Sequence, residues 1–244
     1  MINKTEDKLH GSDSVYSRFQ EYLGEFVYGG IDGSITTFAV VAGASGAGLD
    51  SSIVIILGFA NLFADGFSMS VGAYLSIKSE RDTYEKHKRI EYWEVENMAE
   101  QERKEVRDIF REKGFEGELL DKVVHVITAD KDRWVETMMK NELEMIPSTK
   151  NPLTVGAMTF FSFLAVGFIP LLVYVLDYFA DAGNANTFLY ASILTFITFV
   201  FIGFLKSYVN ETSRFKGIIE TVLLGAVAAG VAYWVGNFLE KLIH

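Results

Sequence analysis

Apolar positions in this chain gather into long uninterrupted runs. From Val27 to Leu49 the only charged residue is Asp32, and from Ser51 to Ile77 it is Asp65. Three further runs follow: Pro152 to Leu176, Thr187 to Tyr208 with Lys206 near its end, and Gly217 to Leu239 with Glu220 near its start. Each is long enough for the ~20 residues that cross a ~30 Å hydrocarbon layer. The pattern therefore predicts an all-α membrane protein with five transmembrane helices. Pro147 and Pro152 bracket the start of the third span, where a proline costs no helical bond. Pro170 lies inside that span and is expected to kink it. Ahead of the first span, Val15, Phe19, Tyr22, Leu23 and Phe26 keep helical spacing. This predicts an interfacial amphipathic helix within residues 1–26, with no secretory signal pattern.

Residues 78–150 interrupt the apolar runs between the second and third spans. They hold 15 Lys/Arg and 19 Asp/Glu, which leaves 20 charges for the other 171 residues. Such segregation predicts membrane helices plus one polar helical insertion and argues against a soluble enzyme. The organisation expected is 1–26 interfacial, 27–77 spans one and two, 78–150 a cytoplasmic helical domain, and 151–244 spans three to five. No Gly or Pro separates Ile77 from Glu96, so the second span is expected to continue into the insertion as a single helix. Further helices are predicted over about 100–113, stopped by Gly114, over about 116–127, and from an N-cap at Asp130 to before Pro147.

The short linkers set the orientation. The linker at 48–51 and the one at 177–186 carry Asp50, Asp177 and Asp181 but no Lys or Arg. The opposite side carries the insertion together with Lys206, Arg214 and Lys216. The positive-inside rule then puts the N-terminus and residues 78–150 in the cytoplasm. With no Cys, disulfide, zinc-ribbon and iron–sulfur chemistry are excluded, and a net charge of −10 argues against nucleic acid as a partner. The four His are scattered, and no nucleotide-binding loop or nucleophile motif occurs, so the chain reads as a non-enzyme without a prosthetic group.

The candidate chemistry lies in a few polar residues. An intramembrane carboxylate such as Asp32 is costly, by roughly 2.5–3.5 kcal/mol on insertion scales, and is seldom idle. Its bland reading is a structural Asp bonded to neighbouring hydroxyls or backbone. Glu25 and Glu21 precede it on the same helical face, forming an acidic approach. In the second span Asn61, Asp65 and Met69 recur at i, i+4 and i+8, a stripe of amide, carboxylate and thioether. Hard oxygen with soft sulfur suits a borderline divalent transition metal better than Mg²⁺ or Ca²⁺. In the insertion, Glu91 and Glu94, and Glu102 and Glu105, are i, i+3 pairs, and Met138, Met139 and Glu142 sit together on the last helix. Each carboxylate pair alone reads more readily as a solvated face neutralised by nearby Lys and Arg. Adjacent Met138 and Met139 are not expected to face the core together, which favours a ligand role for one of them.

These blocks resemble a known family. DGSITTFAVVAGASGA, then GFANLFADGFSMSVGAYLS, then an acidic helical insertion ending WVETMMKNELEM, are similar in order to the vacuolar iron transporter family. The resemblance implies a homodimer of five-span subunits with its path at the interface between first and second spans. It implies export of Fe²⁺, and often Mn²⁺, from the cytosol in exchange for protons. It assigns membrane metal ligation to Asp32 and Met69, with Glu21 and Glu25 nearer the entrance. It assigns cytoplasmic metal binding to Glu91, Glu94, Glu102, Glu105 and Glu142, with thioethers from Met138 and Met139. Some members carry Glu where this chain has Asn61, while Asp65 lies one turn further on.

The expected partners are therefore divalent metal ions, protons, the lipid bilayer and a second copy of the chain. The absence of targeting signals fits the plasma membrane of a prokaryote, with a vacuolar or other organelle membrane if the chain is eukaryotic. The competing reading is a membrane-anchored cytoplasmic metal buffer or sensor that translocates nothing. The intramembrane polar stripe speaks against it, because an anchor needs no such groups.

Overall fold

The computed structural model describes residues 22–180 and 186–243. Among these there are nine α-helices and no strand. They are α1 (Leu23–Gly46), α2 (Ser51–Asn97), α3 (Ala99–Glu112), α4 (Gly117–Thr128), α5 (Lys131–Asn141), α6 (Pro152–Gly167), α7 (Ile169–Phe179), α8 (Thr187–Val209) and α9 (Arg214–Ile243). The interfacial helix expected within residues 1–26, and Glu21 with it, lies outside the described residues except for its last few positions, which begin α1. The chain divides into two compact units. One comprises residues up to Tyr74 and from Lys150 onward, and the other Leu75–Thr149.

In the first unit α1, α2, α8 and α9 are each long and apolar enough to cross a membrane. Helices α6 and α7 pass that test only together, as a pair bent by 48°. The bend falls at Phe168, and Pro170 stands in the first turn of α7. Proline lacks the N–H that would carry the helical ladder across this point, so the predicted kink takes the form of a break. Helix α1 packs against α6, α8 and α9. Phe38, Val41, Ala42, Val54, Leu171 and Phe199 form the shared core. Ser45 and Tyr174 share a hydrogen bond of 2.7 Å, and Ser70 Oγ donates to the Gly156 carbonyl at 2.8 Å.

Close approach of backbones explains the small residues on α1. A Cβ at Gly33 would stand 2.5 Å from the Phe163 carbonyl oxygen, and one at Gly29 would stand 2.7 Å from that of Thr159. Both neighbours are main-chain atoms of α6 and cannot swing aside. Dispersion contacts between helix backbones replace the hydrophobic effect that lipid does not supply.

The second unit consists of α2 beyond Tyr74 with α3, α4 and α5. Gly114, at φ +91°, closes α3, and Asp130 caps α5 by accepting from the Arg133 N–H at 2.8 Å. Its core is Val95, Val106, Leu120, Val124, Ile127, Trp134, Val135, Met138 and Met139. The expectation that Met138 and Met139 do not both face the core is overturned, since they are 0% and 1% exposed. Neighbours on a helix differ by about 100° in direction, and the apolar stripe of a packed helix is at least that wide. Helix α5 ends at Asn141, well short of Pro147, so that Glu142 occupies its C-cap.

Substitution Gly33→Val should force α1 and α6 apart and destabilise the membrane unit by about 1–3 kcal/mol or more. In detergent this would lower Tm by several degrees. Gly72→Val is the control, because nothing lies within 4 Å of a Cβ there. Equal melting of the two variants would refute the packing assignment.

Candidate metal sites

The second unit gathers carboxylates from three helices. Glu91 comes from the polar end of α2, Glu102 from the first turn of α3 and Glu142 from the C-cap of α5. One oxygen from each lies within 4.8 Å of the others. The helices that carry them are held by contacts nearby. Tyr92 donates to Asp132 at 2.7 Å, Lys131 pairs with Glu96, and both tie the start of α5 to α2. Glu142 N–H donates to the Met138 carbonyl at 2.9 Å, so the buried Met138 turn fixes where Glu142 begins. The i, i+3 spacing then brings Glu94 beside Glu91 and Glu105 beside Glu102.

For Glu91 and Glu102 the reading as a solvated, neutralised face is not met, whereas Glu142 is exposed and Glu94 and Glu105 are half-buried. Glu91 and Glu102 are 3% and 2% exposed. The Oε2 atoms of both are buried with no hydrogen-bond partner among the described residues. Four basic groups of this unit are engaged elsewhere: Arg103 with Glu100, Arg107 with Asp121, Arg111 with Asp108, and Lys122 with Glu118. Among the described residues no Lys or Arg forms an ion pair with Glu91, Glu94, Glu102, Glu105 or Glu142.

Burial, reinforced by the charges of Glu142, Glu94 and Glu105, pushes the Glu91 carboxyl up to about 7. Burial, with Glu105, Glu91, Glu94 and Glu142, pushes Glu102 up to about 8. Glu142 is raised too, chiefly by burial and then by Glu105 and Glu94. Without another cation the cluster holds protons near neutrality. A divalent ion with two positive charges would release those protons and supply the missing partners. Met138 and Met139 belong to the adjoining apolar core, where their packing alone accounts for them.

The membrane unit holds the second set of polar groups. Asp32 is half-buried, and its carboxylate accepts no hydrogen bond and forms no ion pair among the described residues. The hydroxyl that reaches it, that of Thr36, donates to its main-chain oxygen at 2.9 Å. The bland reading, an Asp satisfied by local hydroxyls, therefore does not describe its side chain. Asp32 lies within electrostatic reach of Asp65. Asp65 is exposed, Met69 and Asn61 are half-buried, and the Asn61 Nδ2 atom is buried without a partner among the described residues. Glu25, at the start of α1, accepts from Lys150 Nζ at 2.6 Å, while its Oε2 is buried without a partner among the described residues. Sequence reasoning missed Lys150: nothing local marks it, and its partner lies 125 residues away.

Comparison with known proteins finds similarity along most of the chain. A family model described as the VIT family matches residues 23–237. The vacuolar iron transporter of Toxoplasma gondii is 34% identical over 91% of this chain and 76% of its own length. That of Plasmodium falciparum is 33% identical over 92% of this chain and 84% of its own. Vacuolar iron transporter 1 of Arabidopsis thaliana is 32% identical, covering 90% and 87%.

The raised carboxyls fix a sign for stability against pH. Their folded values of about 7 and about 8 exceed the ordinary 4.5, so the folded state binds more protons than the unfolded one in that window. Metal-free stability should therefore be greatest at mildly acidic pH and fall as pH rises from about 5 to about 8. Mn²⁺ should restore it, most strongly at the alkaline end. Thermal melts of the full chain in detergent, with and without Mn²⁺, check this. Glu102→Gln should flatten both dependences, and an unchanged pair of curves would refute the cluster as an ion site.

Proposed function

The chain belongs to the VIT family, and on that premise we propose that it carries a divalent transition metal, Fe²⁺ and also Mn²⁺, out of the cytoplasm in exchange for protons. The observation that carries this reading is the Asp32 carboxylate, sunk in an apolar helix with no partner among the described residues and within electrostatic reach of Asp65. The relatives compared above are named as iron transporters, which supports the choice of cargo.

In this reading Glu91, Glu94, Glu102, Glu105 and Glu142 collect the ion on the cytoplasmic side, with Met138 and Met139 beside them. The ion then passes Glu25, and Glu21 outside the described residues, to Asp32 and Met69, with Asn61 and Asp65 one turn apart along α2. A carboxylate that accepts either a proton or a divalent ion makes the two compete, and a proton gradient can then drive the metal uphill without nucleotide hydrolysis. Thioether sulfur favours Fe²⁺ or Mn²⁺ over the more abundant Mg²⁺.

The five-span subunit follows from counting α6 and α7 as one bent span. The N-terminus and residues 78–150 face the cytoplasm. The membrane is the plasma membrane in a prokaryote or an organelle membrane in a eukaryote, as the relatives' vacuolar names would have it. Asp65 supports a homodimer. It is exposed in a single chain within the apolar part of α2, where contact with hydrocarbon would cost roughly 2.5–3.5 kcal/mol. A second copy covering it relieves that cost, and a C2 pair is the commonest closed assembly. The acid cluster alone equally suits a membrane-anchored buffer or sensor. That reading predicts metal binding without flux.

Liposomes with an acidic lumen distinguish the two. The chain should take up Mn²⁺ and Fe²⁺, and collapse of the pH gradient should slow uptake. Asp32→Ala should lower the rate at least tenfold, while Glu102→Gln should lower it at limiting metal. An Asp32→Ala variant that transports at the full rate would disprove the assigned path, and binding without any uptake would favour the buffer.

A further inference from the structure

At the junction where the chain returns from the polar insertion, Lys150 Nζ meets Glu25 Oε1 at 2.6 Å. One residue further on, the Asn151 N–H donates to the Tyr22 hydroxyl at 3.1 Å, and the Asn151 side chain accepts from the N–H groups of Leu153 and Thr154 to start α6. The backbone of Lys150 is therefore tied to the beginnings of α1 and α6, and its ammonium is delivered to one carboxylate. Glu25 is 17% exposed at its side chain and Lys150 is 35% exposed, so water screens this pair less than the surface pairs of the second unit. The carboxylate is only half used. Its Oε2 is buried and accepts from no group among the described residues.

We infer that Lys150 is a tethered counter-ion that competes with the transported cation for Glu25 and so sets which ions, and at what concentration, enter the path. This rests on the transport reading above and adds a specificity-determining residue to it. A tethered group acts at an effective concentration of millimolar order or more. A monovalent ion has no charge advantage over the ammonium and must meet that concentration to displace it. A divalent ion interacts about twice as strongly with the carboxylate at equal distance, and can use the open Oε2 as well. Once displaced, the ammonium remains on its stem beside the bound ion, and its repulsion favours onward movement. The pair thus excludes monovalent cations at rest and weakens divalent binding enough to permit release.

The same contact could serve only to pin the junction, and uptake kinetics separate the two roles. Lys150→Gln and Lys150→Met remove the charge, and Lys150→Arg keeps it. In liposomes, removing the charge should raise uptake at limiting Mn²⁺ by about threefold or more, the gain vanishing as Mn²⁺ saturates. Added K⁺ should inhibit the Gln and Met variants more than the parent chain when ionic strength is held constant with N-methylglucamine. The Arg variant should keep the parent half-saturation and K⁺ tolerance. Unchanged or raised half-saturation in both neutral variants would overturn the inference, as would failure of both to elute as folded protein, since the pair would then be structural. Absence of uptake by the parent chain would instead overturn the transport reading and this inference with it.

Discussion

Carboxylates withdrawn from water without a cation from the protein are the condition on which the rest of this molecule turns. Burial of a lone charge is among the costliest things a fold can do, and proteins avoid it by pairing or by protonation. Here the second unit has basic residues in abundance, yet they pair with Glu96, Glu100, Asp108, Glu118 and Asp121 at its surface. Glu91 and Glu102, the most deeply buried acids, receive none. An arrangement that satisfies the exposed acids and leaves the buried ones open is the reverse of what stability alone would select. It is what a site completed by an external cation requires.

Three kinds of positive charge can fill such places: a proton, a divalent metal and the protein's own ammonium. Protons occupy the cluster of the second unit near neutral pH, because burial and mutual repulsion push Glu91 up to about 7 and Glu102 up to about 8. The ammonium of Lys150 fills one oxygen of Glu25. Each placeholder keeps a carboxylate from being left bare. In the transport reading proposed above, an ion of higher charge displaces them, and exchange needs no moving catalytic part beyond a hierarchy of competing cations, whose order is set by charge, desolvation and donor softness.

Much of this was legible in the chain's periodicities, for identifiable reasons. Long apolar runs read as helices because backbone groups in hydrocarbon have no other economical partner. The Glu pairs at i, i+3 were visible, as was Asp130 as a cap. What escaped depended on tertiary contacts. Sequence did not reveal that Arg103 and Arg107 turn away from Glu102 and Glu105, so the neutralised-face reading looked the stronger. Met138 and Met139 were judged by direction alone, whereas the width of the core stripe on α5 admits both. By contrast, the kink expected at Pro170 was legible for a local reason, and it takes the form of a 48° bend at Phe168, since the proline interrupts the ladder ahead of itself. Lys150 was invisible because its meaning lies in a partner on a different helix.

A last distinction separates the polar groups within the membrane unit. Thr159, Ser192, Thr195, Thr198, Ser207 and Thr221 each donate to the carbonyl four residues back on their own helix, at 2.7 to 3.1 Å. Such hydroxyls are satisfied locally and can lie in α6, α8 or α9 without needing anything from outside. Among the described residues, the buried side-chain polar atoms without partners in this unit are Glu25 Oε2, Thr37 Oγ1 and Asn61 Nδ2, and all three fall on α1 and α2. Asp32 and Asp65 lie on the same two helices. The Asp32 carboxylate and the Asn61 Nδ2 find no partner on their own turns among the described residues, which leaves them open to an ion or water. The helices that surround α1 are thus chemically closed and act as scaffold, held close by glycines such as Gly29 and Gly33. Among the described residues of this unit, unpartnered buried polar atoms are confined to α1 and α2, which is where a hydrated cation crossing the layer would find replacement for the water it loses.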